Sequence, residues 1–116
     1  MKIENVYAGM MTSDIEKASE WYAKLFDRKS DYHPMDNLYE WNFPNGGVFQ
    51  LVQDNHRAGS SSITLMVDDL EKVKNELEEK NIKIEQQTKS DVANTATIFD
   101  PENNRITFAQ NNQGRK

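Results

Sequence analysis

Few side chains in this sequence are equipped for strong chemistry. The imidazoles are His33 and His56; the first directly precedes Pro34 and the second sits in a polar run. Neither belongs to a His-x-x-x-His or comparable ligand spacing, so both read as surface or loop histidines. With no cysteine, disulfides, thiolate nucleophiles and Cys-ligated zinc or iron–sulfur clusters are excluded. Gly59-Ser60-Ser61-Ser62 lacks the Gly-x-Ser-x-Gly order of a nucleophile elbow, and there is no P-loop or dinucleotide fingerprint. Glu40 and Glu85 would serve as general bases if buried, but their surroundings do not separate them from solvated carboxylates. The residues therefore name no catalytic group, no metal ligand and no cofactor.

Binding is better supported than catalysis. Tyr39, Trp41 and Phe43 alternate along one strand and would offer flat area, polar handles and cation–π attraction to a ligand. Packing under a helix, or in an interface between copies, is the competing reading of the same three residues. The net charge of −5 favours a cationic ligand over an anionic one, and no Lys/Arg run suggests nucleic acid. No apolar run approaches the roughly 18 residues of a membrane span. Met1-Lys2-Ile3-Glu4 does not open a signal peptide, so a cytoplasmic location is expected.

The elements that would position these residues are written twice. At 116 residues one domain is expected, able to bury roughly two thirds of its unfolded surface. Hydrophobic content is only 36%, yet it falls in periodic blocks, which argues against disorder. Ile63, Leu65 and Val67 read as a half-buried strand, and Asp68 with Glu71 as a capping box. Leu70, Val73 and Leu77 follow at helical spacing, Asn81 closes that helix, and Ile82 to Glu85 reads as a strand. The same grammar opens the chain: a strand over Ile3 to Met11, a capping box of Ser13 with Glu16, and a helix carrying Ile15, Ala18, Tyr22, Leu25 and Phe26 to about Asp27.

Both halves continue with strands. Ser30 to His33 and Leu38 to Phe43 precede a tight turn at Pro44-Asn45-Gly46-Gly47, and Val48 to Val52 returns. In the second half, Ala93 to Phe99 turns at Asp100-Pro101-Glu102-Asn103-Asn104 into Arg105 to Gln110. Asn111 to Lys116 reads as a frayed tail. Asp14-Ile15-Glu16-Lys17 matches Asp69-Leu70-Glu71-Lys72 at an offset of 55, and Pro44 matches Pro101 at 57. The single domain over residues 1–116 is thus read as repeat halves 1–55 and 60–110, joined through the polar run around Gln53 to Ser60.

Asp14-Ile15, Trp21-Tyr22, Leu25-Phe26, Val67-Asp68-Asp69-Leu70 and the turn Asp-Pro-Glu-Asn-Asn stand in an order that resembles the glyoxalase/bleomycin-resistance/dioxygenase superfamily, the vicinal oxygen chelate fold. The usual turn of that family has glycine where this chain has Asn103. The resemblance implies an α+β fold of two tandem βαβββ modules whose curved mixed sheets enclose a cavity. Val6/Ala8/Met10, Phe49/Leu51, Ile63/Leu65/Val67 and Ile106/Phe108 would lie beneath the helices. Metal-dependent members hold a divalent cation with four side chains, usually His and Glu; the positions matching them are Tyr7, Gln50, Ser62 and Thr107. These neutral groups are poor donors for Ni, Fe, Zn or Mn.

The resemblance thus implies a metal-independent small-molecule-binding protein, sequestering a toxic or antibiotic-like compound, with no cofactor. Its ligand would be a small organic molecule, aromatic or cationic, held by Tyr7, Met11, Tyr39, Trp41, Gln50, Ser62, Met66 and Thr107. A homodimer is implied as well. The alternative is an enzyme of the same superfamily (lyase, isomerase, thiol transferase or dioxygenase type) with a non-standard site.

Overall fold

A computed structural model describes residues 1–112 of the chain. They form two units, Met1–Ser61 and a second beginning at Ser62. The first module runs β1 (Tyr7–Thr12), α1 (Ile15–Phe26), β2 (Tyr32–Met35), β3 (Leu38–Asn42) and β4 (Val48–Gln53). The second runs β5 (Ser62–Met66), α2 (Leu70–Glu79), β6 (Gln86–Lys89), β7 (Ala93–Phe99) and β8 (Arg105–Asn111). Sheet order is β1-β4-β3-β2 in one and β5-β8-β7-β6 in the other. In each, the opening strand lies parallel to the closing strand and the remaining pairs are antiparallel. The α+β fold of two βαβββ modules is therefore as the sequence pattern requires.

Both helices are capped by an aspartate one residue later than the boxes anticipated. Asp14 Oδ1 accepts from Lys17 N at 3.2 Å and Asp69 Oδ1 from Lys72 N at 3.1 Å, each satisfying a first-turn N–H that the helix cannot pair itself. Both helices end with an Asx residue in the left-handed region, Asp27 at φ 60° and Asn81 at φ 58°. Arg28 N then reaches Ala23 O at 3.1 Å and Ile82 N reaches Leu77 O at 2.9 Å, closing the last turn. The hairpin turns also coincide: Phe43 N bonds Gly47 O at 2.9 Å and Asp100 N bonds Asn104 O at 2.9 Å, with Gly46 (φ 98°) and Asn103 (φ 76°) in the matching left-handed place.

Three strands differ from expectation, the smallest shift being β2, which runs Tyr32–Met35 rather than Ser30 to His33. β1 starts at Tyr7 rather than Ile3, and Val6 is 75% exposed instead of buried. The reason is register. Tyr7 pairs with Val48, the first residue of β4, and the chain before Val48 is already turning, so nothing remains for Ile3–Val6 to pair with. In the second module the strand is Gln86–Lys89 rather than Ile82 to Glu85, because its partners on β7 are Asn94 to Thr97. Ile82 and Ile84 are half-buried in the segment leading from the helix to the sheet. β2 is an edge strand that contains Pro34, where a missing N–H costs no ladder bond.

Each module has its own core between helix and sheet. The first is aromatic: Tyr22 and Phe26 of α1 meet Phe49 at centroid distances of 4.9 and 5.5 Å, and Trp41 at 6.5 and 5.7 Å. Met10 and Leu51 are fully buried beside them. The second is mainly aliphatic, with Ile63, Leu70, Leu77, Ile98 and Ile106 buried beside a single aromatic residue, Phe108. Arg28 ties the end of α1 to β3: its Nη1 donates to Asp31 Oδ2 at 2.7 Å and its Nη2 to Asn42 O. The same carboxylate oxygen accepts from Asn42 N at 2.6 Å. The Arg28 guanidinium, and then the Asn42 N–H, hold the exposed Asp31 carboxyl below its ordinary pKa.

Candidate sheet-face site

Side chains alternate across a strand, so the face of each sheet opposite its helix is set by register. In the first module it consists of three rows running from β1 through β4 to β3. They are Tyr7–Val48–Asn42, Gly9–Gln50–Glu40 and Met11–Val52–Leu38. The outer rows are largely apolar. The middle row carries a polar pair, in which Gln50 Nε2 donates to Glu40 Oε2 at 2.7 Å. Both members of that pair are half-buried, while Tyr7 is 52% exposed.

The second module repeats the arrangement with different chemistry. Its rows are Ser62–Arg105–Phe99, Thr64–Thr107–Thr97 and Met66–Ala109–Thr95. The middle row is again joined across β8 and β7, here by the Thr97 and Thr107 hydroxyls at 3.2 Å. Gln50 and Thr107 therefore occupy equivalent places, each hydrogen-bonded to the residue facing it across the hairpin. Met66 is 61% exposed.

Of the residues read from sequence as ligand-binding, Tyr7, Met11 and Gln50 share the face of the first sheet, and Ser62, Met66 and Thr107 that of the second. Trp41 does not belong with them. It is fully buried beneath α1, and its Nε1 donates to Arg28 O at 3.0 Å. Tyr39 faces the same way as Trp41 and stacks on His33 at 3.9 Å. The signal was available: Trp41 lies opposite Phe49 and Tyr39 opposite Leu51, and directly facing residues share a side. A buried Phe49 and a ligand-facing Trp41 were incompatible expectations. Glu40, read from sequence as a base only if buried, is half-buried on the first face beside Gln50, and Gly9 lies in the same row.

The four positions that match the family's metal ligands carry weak donors for a transition metal. Tyr7, Ser62 and Thr107 offer neutral hydroxyls, and the Gln50 amide is already engaged with Glu40. Among the described residues, no three His, Cys, Asp or Glu side chains gather closely enough to hold a metal ion. His33 and His56 are both exposed, and His56 N donates to Asp54 Oδ1 at 3.1 Å in a polar turn. Among the same residues no helix is long and apolar enough to cross a membrane.

Comparison with known proteins agrees with this architecture. The model of the Glyoxalase/Bleomycin resistance protein/Dioxygenase superfamily matches residues 5–108. Among solved structures, a glyoxalase/bleomycin resistance protein from Catenulispora acidiphila DSM 44928 superposes with a TM-score of 0.82 at 25% identity, covering 91% of this chain and 96% of that one. TnmS3, an antibiotic binding protein from Streptomyces sp. CB03234, gives 0.80 at 20% identity, covering 96% and 98%. Lactoylglutathione lyase from Agrobacterium tumefaciens gives 0.80 at 14% identity, with both chains fully covered. The last two likenesses concern the fold alone. No curated protein matches the sequence.

Proposed function

Because the chain belongs to the Glyoxalase/Bleomycin resistance protein/Dioxygenase superfamily, we propose that it works as one domain of that family and binds a small organic molecule without a metal ion. The observation that carries this reading is the state of Gln50 and Thr107. Each is spent on a hydrogen bond to its neighbour across the hairpin, and neither is a carboxylate or imidazole. The first face suits an organic ligand: Tyr7 supplies a ring with a polar end, and Met11 supplies adaptable apolar contact. An antibiotic-binding protein shares the fold, which supports sequestration of a toxic or antibiotic-like compound in the cytoplasm. Pairing of two copies belongs to the same reading.

The test is a thermal-shift screen of aromatic and heteroaromatic antibiotics in the presence of EDTA, followed by calorimetry on those that raise the melting temperature. Saturable binding unaffected by EDTA is expected. Saturable binding of Zn²⁺ or Ni²⁺ that disappears in Gln50→Ala or Thr107→Ala would overturn the reading. Sedimentation velocity checks the dimer. The enzymatic alternative rests on Glu40, the carboxylate of the first face; turnover of a bound compound that Glu40→Gln abolishes would favour it over simple binding.

A further inference from the structure

The Glu40–Gln50 pair is not self-contained. Glu40 Oε2 accepts the Gln50 amide, but among the described residues the carboxylate has no Lys or Arg partner, in contrast to Asp31 and Glu71, which pair with Arg28 and Lys74. Its second oxygen and the Gln50 side-chain carbonyl accept no hydrogen bond from the described residues. A half-buried carboxylate without a counter-charge, flanked by Leu38, Val48 and Val52, gains from any cation that reaches it. On the other side of Gln50 the row drops to bare backbone at Gly9. A Cβ built there would lie 3.2 Å from Met11 Cε, so only the flexible end of Met11 reaches over that place. The row therefore offers backbone and a movable thioether at one end and two open acceptors, one of them charged, at the other.

Resting on the small-molecule reading above, we propose that this face takes an organic cation whose N–H groups donate to Glu40 and Gln50 while its flat apolar body lies over Gly9 beside Tyr7. An amidinium or protonated amine meets these demands. The two acceptors match its donors, the carboxylate matches its charge, and the Tyr7 ring adds cation–π attraction. Glu40 is then the residue that sets specificity, choosing cations over neutral molecules of the same shape.

The probes are the planar bis-amidine 4′,6-diamidino-2-phenylindole, its uncharged parent 2-phenylindole, and the anion 1-anilinonaphthalene-8-sulfonate, each titrated by fluorescence. The bis-amidine should bind about ten-fold or more tightly than 2-phenylindole. Glu40→Gln should abolish that preference, with circular dichroism and a thermal melt showing that the variant is folded. If 2-phenylindole binds and the charged probe gains nothing over it, the cation inference is overturned and the small-molecule reading stands. Equal binding of the bis-amidine by wild type and Glu40→Gln, or preference for the anion, overturns it likewise. Saturable binding of none of the three overturns the inference, and the antibiotic screen then judges the broader reading separately.

Discussion

Gln53 and Gln110 do the same thing in different modules. Gln53 Oε1 accepts from Ile15 N at 2.9 Å, and Gln110 Oε1 accepts from Leu70 N at 2.7 Å. In each case the penultimate or final residue of the closing strand reaches the first residue of the helix and satisfies a backbone N–H with no helical partner. Strand and helix are thereby fastened at the point where the chain enters the helix. Gln110→Leu should destabilise the protein by about 1–2 kcal/mol in urea denaturation. Gln53→Leu should cost at least as much, because Gln53 Nε2 also donates to Ser13 O at 2.8 Å. Unchanged midpoints in both variants would show that these bonds carry nothing.

The two hairpin turns should respond to substitution with opposite signs. Asn103, at φ 76°, holds a position that Gly46 holds in the other module. Asn103→Gly should stabilise by about 0.5–1 kcal/mol, and Gly46→Ala should destabilise by about 1 kcal/mol, since only glycine enters this region without a Cβ penalty. Thermal melts of the two variants against wild type read the signs directly.

Asp100 holds its turn from inside. It is 6% exposed, and its carboxylate accepts from Glu102 N at 2.9 Å and from both Asn104 N and Asn104 Nδ2 at 2.8 Å. Asp100→Ala should leave buried donors unpaired and cost about 2–4 kcal/mol in chemical denaturation. A loss below the error of that measurement would mean water replaces the carboxylate.

Trp41 should matter for stability and not for ligand. Trp41→Phe removes the donor to Arg28 O and part of an aromatic core, for an expected loss of about 1–3 kcal/mol. Affinity per folded molecule should stay unchanged, because Trp41 and the Glu40–Gln50 pair occupy opposite faces of the sheet. Calorimetry well below the melting temperature separates the two effects. A folded variant with collapsed affinity would place Trp41 in the site.

Acid should release the Arg28–Asp31 clamp. Because the folded carboxyl titrates below its ordinary value, its contribution is fully present above the unfolded pKa of about 3.9 and is lost as pH falls through the folded one. Asp31→Asn should therefore flatten the stability profile below about pH 4 and leave its shape near neutrality unchanged. Denaturation curves collected across that range check the difference.

Much of the architecture could be read from local chemistry. Ser13 with Glu16 and Asp68 with Glu71 announce helix starts to within one residue of the caps Asp14 and Asp69, Gly46 and Asn103 announce tight turns, and matching offsets of 55 and 57 residues announce the repeated module. These signals work because capping and left-handed turns depend on a few adjacent residues. The slips came where a property belongs to a pair of strands. Ile3–Val6 looks like strand by composition, but pairing ends where β4 begins. Trp41 looks like ligand-binding surface by composition, but Phe49 opposite it decides the side.

Sequence alone determined the βαβββ repeat and the neutral character of Tyr7, Gln50, Ser62 and Thr107, since residue identity and local spacing are sufficient for both. Tertiary structure decided which aromatic residues are core, which glutamines cap which helices, and that Glu40 stands beside Gln50 with an acceptor to spare. Those outcomes turn on register. A shift of one residue between strands sends every side chain to the opposite face, and nothing local in the chain records which face that is.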